Sequence, residues 1–238
     1  MDPITGVLSI NHEIRSRYCE VAVVYYRAGY SPSDYTSPAH FQVRFQLESS
    51  RSIKCPSIPL QLAGGKKMQE YLTRTGILES VLENDNLSSL DLLKLRQSWV
   101  QMWSLSADEA LSRVLQQYSN LVLKPQREGG GNNVYHTHIP EFLERLPERE
   151  LPAWIAMQLI HPPRGTFTHM VKSGEPHSIC TAVVSELGVF GWSLFGEDGQ
   201  GDTIIEKNAG WLVRTKSRDS DEGGVAVGFS VLDSIVLV

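Results

Sequence analysis

Apolar residues along this chain gather into a few short β-branched and aromatic runs, separated by longer stretches with helical spacing. Residues 19–26, CEVAVVYY, predict a buried strand that runs into a loop at Arg27-Ala28-Gly29-Tyr30. In an open α/β sheet the carboxyl end of such a strand is where ligands bind. Helical spacing follows at about residues 42–50 and again at about 66–81, with Gly64-Gly65 before the second segment and a proline-marked connector at 55–59. A helix after Ser88 would carry Leu92, Leu95, Trp99, Met102 and Trp103 on one face, and Ser106-Ala107-Asp108-Glu109 reads as a capping box opening the next helix. Residues 121–123 return to the strand pattern, Pro140 can open a short helix, and AWIAMQLI (153–160) reads as a strand. Strands then dominate: residues 181–195 and 203–206 flank the polar turn GEDGQGD (196–202) as a hairpin, and a glycine-rich loop covers 217–228. The alternation predicts an α/β chain without internal repeats.

Composition narrows the partners. The 238 residues are 41% hydrophobic and 21% charged, ordinary values for globular protein. A net charge of -5, with its 22 lysines and arginines spread along the chain, argues against general nucleic-acid binding, which wants a basic face. No apolar run approaches the ~20 residues that span a bilayer, and the first residues lack the apolar segment of a secretory leader. The expectation is a soluble chain in the cytoplasm, with no membrane partner. Cys19, Cys55 and Cys180 are too far apart for a zinc pattern or a disulfide framework.

The chemistry concentrates in LVLKPQREGGGNNVY, residues 121–135. Lys124 stands at the end of a strand that Pro125 forbids from continuing regularly, which places its ammonium at the sheet edge. Gly129, Gly130 and Gly131 let a bare backbone approach an anion and turn several N–H groups toward it, as in a phosphate cradle. Glu128 would repel a naked phosphate, but it fits a nucleotide that arrives with Mg2+, a hard cation held by carboxylates and phosphate oxygens together. Read from the residues alone, the same stretch also fits an exposed turn with solvated charges. No GxxxxGK[ST] loop occurs, and Gly64-Gly65-Lys66-Lys67 lacks the following hydroxyl.

Two further places lean the same way. Glu186 lies inside the apolar run 182–190 and would need a cation or donors if buried. Arg214-Thr215-Lys216 ends GWLVRTK just before DSDEGGVAVG, again setting cations beside a glycine loop, although an edge strand with solvated charges fits both places equally. His136 and His138 read as a polar loop rather than a metal pair.

Taken together, VVYYRAGY, QLAGGKKMQ, KPQREGGGNNVY, VSELGVFG and LVRTK...EGGVAVGFSVLDS resemble, in order, the eukaryotic glutathione synthetases of the ATP-grasp superfamily. The resemblance covers nearly everything from Glu20 to Val238. It implies the end of an open α/β substrate-binding domain at residues 1–65 and most of an ATP-grasp domain at 66–238. It also implies an ATP-dependent ligase that joins γ-glutamylcysteine and glycine through an acyl phosphate, with Mg2+. By that resemblance Lys66, Lys124, Pro125, Gln126, Arg127, Glu128, Gly129, Gly130, Gly131, Asn132 and Asn133 would hold and close over the ATP phosphates, with Glu128 as the metal ligand. Tyr135, Met157, Gln158, Leu159, Ile160, Glu186, Lys216 and Glu222 would complete the nucleotide pocket. Arg27, Ala28, Gly29, Tyr30 and Arg214 match peptide-binding positions, Val225 and Ala226 line the glycine end, and Lys124 and Arg214 carry the catalytic roles.

The departures from the family pattern count too. At Gln158 the family usually has glutamate, which backbone contacts to adenine would tolerate. Family members are roughly twice as long, and the match is to their C-terminal half. The missing half supplies further magnesium ligands and much of the dipeptide pocket. This leaves two expectations: a ligase, alone or together with a separate N-terminal half, or a non-catalytic nucleotide-binding remnant. The family commonly forms homodimers.

Overall fold

The computed structural model describes residues 1–12, 17–127, 131–171, 176–196, 203–225 and 228–234, and it divides into two units, Met1–Leu159 and Ile160–Val238. Helices and strands are mixed in the first unit and the described residues of the second form strands, an α/β composition in keeping with the ATP-grasp expectation. Among the described residues no helix is long and apolar enough to cross a membrane.

The first unit begins with an antiparallel pair, β1 (Ser9–His12) and β2 (Arg17–Glu20). Next come β3 (Val23–Tyr25) and β4 (Ile53–Cys55), which are parallel and joined across α1 (Pro38–Ser49). The run 19–26 is therefore not one buried strand. Its backbone changes partner in the middle: Val21 N donates to Leu8 O on the β1 side, while Ile53 N donates to Ala22 O on the β4 side. Val23 and Tyr25 are 52% and 67% exposed, so this run builds an edge rather than a core. α1 starts earlier than its apolar spacing suggests because Pro38, with its φ already helical, occupies the first turn.

The proline-marked connector runs into α2 (Ile58–Ala63), whose N-cap Ser57 accepts from Leu60 N. The helix expected over 66–81 is two, α3 (Lys66–Thr73) and α4 (Ile77–Val81), because Gly76 takes a left-handed φ of 80° between them. α5 (Ser89–Gln97) opens on a Ser88–Asp91 capping box and stops before Trp99. Met102 and Trp103 instead belong to β5 (Met102–Ser104), paired with β8 (Trp154–Gln158). The expected capping box at 106–109 is also absent. Ser106 Oγ bonds Ser104 Oγ, Glu109 has a φ of 59°, and α6 (Ala110–Gln117) starts after it.

β6 (Leu121–Pro125), β7 (Val134–Tyr135) and α7 (His138–Arg145) complete the unit. Its main sheet has the antiparallel order β5-β8-β6-β7. Directly opposed residues share a face, and the faces alternate along each strand. One face carries Leu121, Leu123, Ala156 and Trp103, which pack with Ala110 and Val114 of α6 and Ile139 of α7 into the hydrophobic core. The other face carries Val122, Lys124, Ile155, Met157 and Ser104.

The second unit is one antiparallel sheet, β12-β11-β10-β9. Its strands are β9 (Phe167–Met170), β10 (Ile179–Phe195), β11 (Thr203–Ser217) and β12 (Ser230–Asp233). β10 and β11 pair along their length as the expected hairpin, but β11 runs through GWLVRTK rather than stopping at Glu206. Residues 197–202 of the turn lie outside the described residues.

Candidate functional site

In the first unit the expected nucleotide residues Lys124, Met157 and Tyr135 fall on the sheet face opposite the core, whereas Pro125 and Gln158 oppose Trp154 and Leu121 on the core face. Met102, Met157, Val122 and Tyr135 stand in one row across β5, β8, β6 and β7. Ser104, Ile155 and Lys124 form the next row on that same face. The start of α3 reaches this row: Lys67 Nζ donates a short hydrogen bond to Ser104 Oγ, and Lys67 N donates to Gln126 Oε1 at 2.8 Å. The first residue of the glycine loop to leave β6 is thereby tied to the first turn of the helix that begins with Lys66. Gly65 caps this helix, and a Cβ there would stand 3.1 Å from Leu62 O and 3.6 Å from Gln126 Oε1. The tight contact is the one with the Leu62 carbonyl, so the bare backbone serves the close turn from α2 into α3, while Gln126 stands at ordinary contact distance. Lys66 itself is half-buried.

Around this face, Gln158 N donates to Gln101 O and Leu159 N to Asn120 O, both at 2.9 Å, which fixes the backbone where β8 leaves the sheet. Asn133 Nδ2 donates to Tyr135 OH at 3.0 Å, and Pro125 is buried while Gln126 and Arg127 are exposed. Gly131 has a φ of 82°, a conformation that glycine adopts without strain. Glu128, Gly129 and Gly130 lie outside the described residues, as does Ala226. His136 hydrogen-bonds Ser119 O through Nδ1 and His138 opens α7, so the two do not form a pair on one strand.

What the face can do follows from its donor set. It offers Lys67 from the start of α3, next to Lys66, and Lys124 near the end of β6, cations that suit phosphate groups. The same donors suit phosphates carried with Mg2+, for which Glu128 is the expected ligand. Among the described residues no group of three or more histidine, cysteine, aspartate and glutamate side chains could hold a metal ion.

The loop Arg27-Ala28-Gly29-Tyr30 leaves the carboxyl end of β3 beside β4. Gly29 has a φ of 80°, its N–H donates to Asp34 Oδ2 at 3.0 Å and its carbonyl accepts from Tyr35 OH at 2.6 Å. Asp34, Tyr35, Arg44 and Gln61, which support this loop, are not legible in the sequence as site residues. Their only trace there is the turn-forming Ser31-Pro32-Ser33-Asp34.

In the second unit Glu186 and Arg214 are directly opposed on β10 and β11 and form a short ion pair. The carboxylate thus has the cation it was expected to need, but it is 64% exposed rather than buried, and its partner 41%. An exposed pair of this kind contributes little to stability, at most about 1 kcal/mol. Between the two cations of 214–216, Thr215 is fully buried and donates to Asp233 Oδ2 at 2.7 Å, with Ser185 Oγ 2.8 Å from its hydroxyl. The Thr215 hydrogen bond, assisted by Ser234 N–H, holds the Asp233 carboxyl below its ordinary value. Lys216 Nζ donates to the carbonyls of Ser220, Asp221 and Glu222 at 2.6, 2.9 and 3.3 Å, so this cation organises the glycine-rich loop that carries Glu222 and exposed Val225.

The model of the eukaryotic glutathione synthase ATP binding domain matches residues 10–237. Chloroplastic glutathione synthetase of Solanum lycopersicum is 42% identical over 221 residues, 92% of this chain and 39% of that protein. Glutathione synthetase of Mus musculus is 40% identical over 236 residues, 96% of this chain and 48% of that protein. In fold, the chain is similar to the apo structure of a glutathione synthetase-like effector from Globodera pallida, with a TM-score of 0.65 and 19% identity over 97% of this chain and 46% of that one. The chain spans less than half the length of the curated relatives it matches. With a family match from residue 10 to residue 237, the chain belongs to the eukaryotic glutathione synthase family, through its ATP binding domain.

Proposed function

We propose that this chain is the ATP-binding part of a glutathione synthetase-like ligase, which joins γ-glutamylcysteine to glycine. Residues 1–65 are assigned to the substrate-binding domain and 66–238 to the ATP-grasp domain. The observation that carries the reading is the sheet face on which Lys124, Met157 and Tyr135 lie together, with the start of α3 tied to Gln126.

On this reading Lys66 and Lys124 neutralise the ATP phosphates, joined by the loop Pro125, Gln126, Arg127, Gly129, Gly130, Gly131, Asn132 and Asn133. Tyr135 and the backbone of Met157, Gln158, Leu159 and Ile160 receive the adenine. In the second unit Glu186, Lys216 and Glu222 are assigned to the nucleotide, and Arg214, Val225 and Ala226 to the peptide and its glycine acceptor. Arg27, Ala28, Gly29 and Tyr30 receive the dipeptide. Bound Mg2+, with Glu128 as ligand, would neutralise phosphate charge. A terminal carboxylate oxygen of the dipeptide forms a bond to the γ-phosphorus as the bond to ADP breaks. The glycine nitrogen then attacks the acyl carbon, phosphate leaves with the bonding pair, and the amine proton passes to solvent. Positioning and charge neutralisation are most of what such a transfer needs, and fixed lysines and oriented amides supply both.

A second reading has an observation of its own. Because the chain spans 39–48% of its relatives' length, it would bind nucleotide without turning it over unless the rest of the family length is supplied. One experiment separates the two. Phosphate release is measured with γ-glutamylcysteine, glycine and Mg-ATP, using the chain alone and mixed with the complementary portion of a full-length relative. Release by the chain alone supports a self-sufficient ligase, and release only in the mixture supports a ligase completed by a partner. ATP binding without release in either case supports the non-catalytic reading, and no ATP binding at all rejects every version.

A further inference from the structure

Two charged side chains are buried among the described residues, Glu70 at 4% and Arg44 at 7% exposure, and they are satisfied very differently. Glu70 receives both forks of Arg74, at 2.9 and 3.0 Å. Arg44 has the face of the Tyr26 ring 3.6 Å from its guanidinium carbon, one hydrogen bond from Nη2 to Gln61 Oε1 at 3.3 Å and a loose ion pair with Glu48 at 3.9 Å. Its Nε and Nη1 have no hydrogen-bond partner. A guanidinium cannot escape burial by losing its proton, so an arrangement this costly points to what the cation holds in place.

It holds Gln61. Arginine only donates, so the glutamine must face it with Oε1, and that orientation turns Nε2 outward, where it donates to Tyr30 O at 3.3 Å. Nη1 lies 4.0 Å from where a Cβ on Gly29 would stand, which sets the guanidinium directly beneath the loop. The loop's bonds to Asp34 and Tyr35 are local in sequence, whereas Gln61 ties it to α2, the helix just before α3. We propose that Arg44 and Gln61 are positioning residues: the buried guanidinium orients the Gln61 amide, which fixes the Tyr30 carbonyl and so shapes the loop for the γ-glutamylcysteine backbone. This rests on the reading of residues 27–30 as the peptide-binding loop.

The discriminating variants are Gln61→Glu and Gln61→Met in the full chain. Gln61→Glu keeps an acceptor, now charged, toward Arg44 but removes the donor to Tyr30. γ-Glutamylcysteine and Mg-ATP are titrated separately by calorimetry, alongside thermal melts and amide exchange at Gly29, Tyr30 and Ser31. The expected result for Gln61→Glu is an unchanged or higher melting temperature, unchanged ATP affinity and a dipeptide affinity weakened about tenfold, as in Gln61→Met. Unchanged dipeptide affinity in Gln61→Glu overturns the proposal. If the wild-type chain binds ATP but no dipeptide, the peptide-loop reading fails instead, and amide exchange decides the positioning role. Faster exchange at the three amides in both variants upholds it, and unchanged exchange overturns it.

Discussion

Replacing Leu123 with alanine is expected to destabilise the first unit by about 2–5 kcal/mol, a large fraction of the about 5–15 kcal/mol that holds a typical domain together. Leu123 is 0% exposed and sits in the core cluster with Val114, Ile139, Ala156 and Trp103, contributed by two helices and two neighbouring strands. None of these elements can move into the space alone, so the lost transfer free energy is joined by a cavity. Among the described residues every α-helix lies in the first unit, so loss of helical ellipticity in urea reads its unfolding without the second sheet. Leu90→Ala, at a position 59% exposed on α5, serves as the control and is expected within about 0.5 kcal/mol of wild type. A Leu123→Ala midpoint equal to that of the control would mean that this cluster is not the unit's core.

The second large effect concerns function. Lys124→Met is expected to weaken ATP binding roughly tenfold to a hundredfold, the range for removing one charge-assisted hydrogen bond of about 1.5–3 kcal/mol. Methionine keeps most of the side chain's length and apolar stem but removes the ammonium. Lys124 opposes Ile155 on the face away from the core, between the buried Leu123 and Pro125, whose packing the substitution leaves in place. The check is calorimetric titration of Mg-ATP into both proteins, with the melting temperature as control. A variant that melts like wild type and binds ATP as tightly would remove Lys124 from the phosphate site.

The strand end behind this second effect is legible in the amino-acid sequence. A short apolar run ended by Lys124-Pro125 reads as a strand, and β6 is that strand, although it continues through Pro125 opposite Trp154 and lies between β8 and β7 instead of leaving Lys124 at an edge. The hairpin of β10 and β11 is legible as well, because long apolar runs flank a polar turn. The expectations that fail do so for a common reason. Trp99, Met102 and Trp103 fit a helical face only as long as nothing pairs with them, and Met102–Ser104 is a strand because β8 lies beside it. The 19–26 run likewise looks continuous in one dimension, whereas its backbone bonds change partner after Val21. Glu186 announces its need for a cation, but the partner 28 residues away becomes visible only through the hairpin register. Arg44 gives no signal at all. A lone arginine in the mixed helix PAHFQVRFQLES reads as solvated, and only the placement of Tyr26 and Gln61 around it shows otherwise.

The central claim is that the sheet face carrying Lys124, Met157 and Tyr135, together with the start of α3, receives ATP. Amide chemical-shift mapping of the chain during a Mg-ATP titration tests it most directly. Saturable shifts at Lys66, Lys67, Lys124, Gln126, Met157 and Gln158, with the α6 and α7 side of the sheet unmoved, are the result expected. Saturable shifts confined to the α6 and α7 side, or no saturable shift anywhere in the first unit, would contradict it.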